Sequence, residues 1–319
     1  MPADAQGREK MLTRNTVVLA EIETEYGIDP IPTPASNAIA VRDLDISPAG
    51  EAVERNILRG SLSPLRFLRG TRSVEVAFKT EMKGTGAKGA LPAFGWEGVL
   101  FRACGMAQTV NSGTDLLYAP VSTNFESCTL YVYLDRLFHK ITGCRGSFRI
   151  SVEVGKPALA EWKFKGFYNS PVDASPAAQT FSGILPPVAL GAGFTIDGFG
   201  PVSEKFEIEI NNSVVERKSI AAADGIVGFE ITGRKPRGSF DPEAVAVSSH
   251  PFWSNWQTAA TLALNLAVGS IDGNRFSIES PALQYSELGS GDRDGRAIYK
   301  ASFSLAMSSG DDELLIRFS

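Results

Sequence analysis

Val74-Glu75-Val76-Ala77-Phe78-Lys79-Thr80-Glu81-Met82 alternates without a break: Val74, Val76, Phe78, Thr80 and Met82 fall on one side, and Glu75, Ala77, Lys79 and Glu81 on the other. A period of two is that of a half-buried antiparallel strand. The pattern returns where Phe148, Ile150, Val152 and Val154 oppose Ser147, Arg149, Ser151 and Glu153, and where Phe206, Ile208 and Ile210 oppose Glu207, Glu209 and Asn211. Segments 129–134 and 161–167 read as further strands, as do 262–268, 275–279, 298–307 and 313–318.

Working outward, each half places one short helix among its strands. Near 92–104, Trp96, Val99, Leu100, Ala103 and Cys104 form an apolar stripe that Gly105 is suited to end. Near 251–263, Phe252, Trp256, Ala259 and Ala263 share one side, with Pro251 tolerated in the first turn. Val53-Glu54-Arg55 precedes the first half's strand and helix, and Val215-Glu216-Arg217 precedes the second's. The chain therefore reads as mainly β, with two tandem β-sandwich or partial-barrel domains, each carrying one short α-helix. The expected division is an N-terminal extended arm over 1–38, a first domain over 39–168, a proline-rich linker or long loop over 169–193, and a second domain over 194–319. Three prolines within 30–34 exclude helix and central strand from the end of the arm.

A length of 319 residues suffices for two ordinary cores, and 43% hydrophobic with 21% charged residues is a globular composition. No run of 18 apolar residues exists, which excludes a helical membrane span. The net charge of −5 argues against a chain that grips nucleic acid, since phosphate binding needs clustered Lys and Arg. Cys104, Cys128 and Cys144 form no CxxC pair and read as reduced thiols.

No motif carries chemistry. Gly84-Thr85-Gly86-Ala87-Lys88-Gly89 spells a dinucleotide fingerprint, yet the following helix starts too late to offer its amides to a pyrophosphate, and no βαβ unit surrounds it. It is expected to be a loop. His139 and His250 stand far apart without neighbours at metal spacing, and no GxSxG elbow accompanies them. Asp292 and Asp294 lie in a glycine-flanked turn lacking the remaining ligands of a calcium loop. Trp96, Trp162, Trp253 and Trp256 are in phase with apolar neighbours and are expected in the core. The expectation is no catalytic, cofactor-binding or metal-binding residue, no cofactor and no enzymatic activity.

Several segments together resemble the tail tube proteins, or major tail proteins, of long-tailed bacteriophages. They are MLTRNTVVLA (11–20) with Tyr26-Gly27 and Asp29-Pro30, GIVGFEITGRKPRG (225–238) with Ser239-Phe240-Asp241-Pro242-Glu243, Gln284-Tyr285-Ser286 with Gly291-Asp292-Arg293-Asp294-Gly295, and Gly310-Asp311-Asp312-Glu313-Leu314. The resemblance implies a structural virion protein whose copies close into rings that stack as a hollow tube, through which phage DNA passes into the host without specific binding. Two domains per chain imply a ring of three chains, and six if the second domain is a surface decoration. The implied partners are further copies, the tape measure, tail terminator and distal tail proteins, and no membrane. The implied location is the virion tail, after assembly in the host cytoplasm. A phage tail adhesin or baseplate-associated β-sandwich binding protein is the alternative. Residues 1–10 are expected to be an appended or mis-started segment, Glu75, Glu81, Glu207 and Glu209 are candidates for an uncharged or acidic inner wall, and 29–34 and 84–89 are candidates for stacking contacts.

Overall fold

The computed structural model describes residues 12, 14–92, 97–176 and 178–319; Trp96 and the segment 1–10 lie outside the described residues. The fold is mainly β, with short helices at Pro34–Asn37, Gly98–Ala103 and Phe252–Gln257 among long antiparallel strands. Gly98–Ala103 is the first half's helix and Phe252–Gln257 the second half's, each under two turns long. Gly98–Ala103 stops where Gly105 takes φ 78°, and Phe252–Gln257 stops where Ala259 takes φ 50°.

Eight strands form one continuous antiparallel run. Its order is Arg42–Val53, Leu68–Glu81, Leu159–Phe167, Leu137–Glu153, Lys205–Glu209, Arg237–Phe240, Arg296–Leu305 and Phe276–Arg293. The first four precede the proline-rich stretch and the last four follow it, so within this run one seam joins the halves; outside it Leu315–Phe318 of the second half also pairs with Asp115–Pro120 of the first. There Arg149 lies opposite Glu209, Ile150 opposite Ile208 and Val152 opposite Phe206. Leu137–Glu153 and Phe276–Arg293 are long and carry register shifts. The first part of each pairs with a second group of strands: Cys128–Leu134 then Thr16–Ile22, and Leu262–Val268 then Gly193–Ile196. Bulges of this kind bend a strand so that it serves two layers.

The two halves repeat each other's pairing. Ile46 pairs with Val76 and Val53 with Leu68; 162 residues later on both strands, Ile208 pairs with Gly238 and Val215 with Glu230. The register shift between Gly50 and Ala52 recurs at the same offset, between Ser213 and Val214. A second shared irregularity follows Cys128 opposite Cys144 and Leu262 opposite Leu283.

Apolar residues from both halves form one core cluster, including Phe78, Phe101, Phe148, Trp162, Phe206, Phe276 and Phe303. Phe101 of the first helix sits 4.8 Å from Trp162 and 5.1 Å from Phe148, edge-on to both rings. Burying such residues contributes about 1.5–3 kcal/mol each. Polar ties also cross between the halves: Arg317 bonds Asp115 at 2.6 Å and Glu279 at 3.3 Å.

Within 1–38, Thr16–Ile22 is a strand paired along its length with Cys128–Leu134. Just beyond it the buried Glu23 carboxylate accepts hydrogen bonds from the Ser127 and Thr129 hydroxyls and from the Gly27 and Gly143 amides. Four donors on one carboxylate offset the cost of burying its charge.

Candidate functional site

Side chains on the solvent side of the eight-strand run are the odd partners of the sequence alternation, and they form an ion-pair lattice. Lys165 meets Glu75 at 2.9 Å, Lys79 meets Glu161 at 3.3 Å, Arg149 meets Glu207, and Arg237 meets Glu209. Lys205 also reaches Glu207, at 2.6 Å. Burial opposes ionisation of Glu207, but the hydrogen bonds and charges of Lys205 and Arg149 outweigh it and hold the carboxyl below its ordinary value. Exposed pairs of this kind add little stability. Their effect is to neutralise the face.

This face is grooved. Hollows of about 780 and 610 Å³ share Glu209, Asn211 and Arg237, one running along the second half and the other crossing to Glu75 and Lys165 of the first. Among the described residues no group of three His, Cys, Asp or Glu side chains is placed to hold a metal ion.

At either end of the run a strand edge carries no partner over part of its length in the described pairings. One is the outer edge of Arg42–Val53, whose only paired neighbour is Leu68–Glu81. The other is Phe276–Arg293 beyond Leu283, where Arg296–Leu305 pairs on one side alone. Open edges are a template for pairing with another chain.

Two hairpin arms leave the sheet at one end. The second, Asn212–Lys218 with Ile226–Arg234, lies against the first half. Asn212 donates to the Cys104 and Gly146 carbonyls, Arg145 donates to the Phe229 carbonyl, and Phe229 packs on Phe167 at 5.4 Å. The first, Arg42–Val53 with Leu68–Glu81, is tied to the second where Ser73 Oγ donates to Glu216 at 2.9 Å and the Arg72 N–H donates to the Asp224 carbonyl at 3.2 Å. Its tip exposes Val53, Ile57, Leu58, Leu62, Phe67 and Leu68.

The residues weighed in the sequence fall as follows. The glycine-rich 84–89 is a loop clamped to the second half, with Gly84 N–H bonded to Asn274 Oδ1 at 2.9 Å and Gly86 N–H to Gly273 O at 2.7 Å. A Cβ on Gly84 would lie 2.1 Å from the Gly273 oxygen, so the glycine serves close backbone approach rather than phosphate binding. His250 is buried, stacked on Phe199 at 4.5 Å and 3.0 Å from the Tyr285 hydroxyl, and desolvation depresses its pKa. His139 lies in a strand opposite Val132. Asp292 accepts from the Gly295 amide in a tight turn. Trp162 is a core residue, its indole N–H donating to Thr80 at 2.9 Å.

Trp253 and Trp256 correct the expectation of core packing, being 50% and 44% exposed on the second helix. Apolar periodicity locates the helix but not whether anything covers it. Met307, expected at the end of strand 298–307, lies beyond the strand's end at Leu305 and is 72% exposed.

No curated protein matches the chain. The family model described as phage tail tube protein matches residues 13–306, nearly the whole length and both halves. A mainly β chain with a neutralised, grooved sheet face, open strand edges and projecting arms is suited to assembly, and by that match it belongs to the phage tail tube protein family.

Proposed function

We propose that three copies of this chain close edge to edge into a ring, that rings stack into the tail tube, and that the ion-paired face lines the channel traversed by phage DNA. The observation that carries this reading is the seam between the halves. Leu137–Glu153 pairs with Lys205–Glu209 inside one chain, and the equivalent edges at the two ends of the run are left open. A chain whose two halves already make one such junction can repeat it with its neighbours, which removes every edge.

Three chains would contribute about 24 strands, beyond the 22-stranded barrels whose lumen is wide enough to need a plug. The repeated pairing register supports two like units over 39–168 and 194–319, with 169–193 between them. Six quasi-equivalent positions then require three chains. A wall whose acids are paired with Lys and Arg offers little free positive charge to hold phosphates, which suits passage without retention.

For stacking, the exposed tip of the first hairpin is the better-suited element, because 84–89 is bound within its own chain and Asp29 is held by Tyr131 and Lys140. Tail terminator, tape measure and distal tail proteins are the proposed partners at the tube's ends and inside it, with assembly in the host cytoplasm. Electron-microscopic class averages of the purified protein test the ring directly. Three chains per ring are expected, and six would overturn the reading.

A further inference from the structure

The repeated register allows the contact between copies to be written residue by residue. We infer that the open edge of Phe276–Arg293, together with the uncovered second helix, is the receptor for the first hairpin of a neighbouring copy, with Ser290 opposite Ile46 and Gly291 opposite Asp45. This rests on the ring reading and goes beyond it by fixing which residues meet.

The internal seam is the template. Ile150 lies opposite Ile208 and Ser151 opposite Glu207. Ile46 is the counterpart of Ile208, since each pairs with the strand that returns from its hairpin, at Val76 and Gly238. Ser290 is the counterpart of Ile150. Trp162 pairs with Phe78 and Ala301 with Phe240, Phe78 and Phe240 standing at the same 162-residue offset, and on their other sides Phe148 pairs with Trp162 and Leu288 with Ala301. Two residues further on stand Ile150, opposite Ala160, and Ser290, opposite Tyr299.

A second observation agrees. The docked arm places Asn212 on the Cys104 carbonyl and Ile231 against Gly105, where a Cβ would stand 3.1 Å from it. Thr258-Ala259 is the counterpart of Cys104-Gly105: both end a short helix and both put a positive φ after the cap. Beside Thr258-Ala259 stand the half-exposed Trp253 and Trp256. Phe229 of the docked arm packs on Phe167, and the corresponding meeting between copies is Phe67 with Ala306, next to Met307. Phe67 is 54% exposed and Met307 72% exposed within one chain. Each surface thus leaves uncovered the apolar residues that the other is placed to cover.

A double variant, Ile46→Cys with Ser290→Cys, tests the register, the native thiols being buried. Mild oxidation of assembled protein should give a covalent trimer on a non-reducing denaturing gel. Ile46→Cys with Gln284→Cys, six residues out of register and about 20 Å away along the strand, should stay monomeric. Three-chain rings without the first cross-link, or with the second, overturn the register while leaving the ring intact; absence of three-chain rings overturns both. Met307→Glu should abolish ring formation with unchanged circular dichroism and melting of the monomer, whereas normal rings from it overturn the docking site.

Discussion

Ile150 and Ile208 face each other as antiparallel strand partners across the seam, and both are buried. One comes from each half of the chain, so the halves share a core as well as a sheet edge. Their stabilities are therefore coupled.

Ile208→Ala should destabilise the whole chain by about 2–5 kcal/mol, the range for truncating a buried isoleucine. Urea unfolding followed by fluorescence and by far-ultraviolet circular dichroism should move as one transition. Loss of only the second half's signal would show that the seam does not couple the halves.

Glu97 gives the chain a pH dependence. Its side chain is buried, its Oε2 has no hydrogen-bond partner among the described residues, and desolvation, only partly offset by Lys83, raises its pKa to about 7. A carboxyl with a raised folded-state value contributes fully below its unfolded pKa of roughly 4.3 and loses that contribution as pH rises towards 7. Glu97→Gln should therefore be more stable than the parent at pH 8, by about 4 kcal/mol at most, with the difference shrinking towards pH 4. Denaturant melts across that range check the sign.

The first hairpin tip should govern stacking. Leu58 and Leu62 are fully exposed. Leu58→Glu with Leu62→Glu should change monomer stability by less than about 0.5 kcal/mol and yield rings that do not elongate. Long tubes from this variant, seen in negative stain, would place the axial contact elsewhere.

Wall charge should control DNA retention. Glu75→Lys with Glu209→Lys removes the partners of Lys165 and Arg237 and leaves each beside a new cation. Tubes of this variant should retain duplex DNA in sedimentation assays, with affinity falling steeply as salt rises, while parent tubes do not. Equal retention by both would separate the ion-paired face from the channel.

Much of this was legible because strand alternation is a local property. The apolar sides of 74–82, 148–152 and 206–210 are read directly from spacing, and burial follows them, with Val76, Phe78, Phe148, Ile150, Phe206 and Ile208 all core residues, whereas Val154, past the strand's end at Glu153, is exposed. The resemblance VER at 53–55 and 215–217 also marks equivalent points, since Val53 and Val215 occupy matching register positions. The helix near 251–263 was placed but drawn too long, because its apolar stripe continues to Ala263, past Thr258 where the helix ends.

What the sequence by itself determined is thus the class of element and the buried side of strands such as 74–82 and 206–210, both set by side-chain spacing along the chain. Tertiary structure alone decided that Glu75, Glu207 and Glu209 are neutralised by Lys165, Arg149 and Arg237, that 84–89 is clamped to Gly273 and Asn274, and that Trp253 and Trp256 remain uncovered. The physical reason is common to all three. Each depends on which strands become neighbours, and pairing between residues far apart in sequence is fixed by the register of whole strands, not by the residues next to them in the chain.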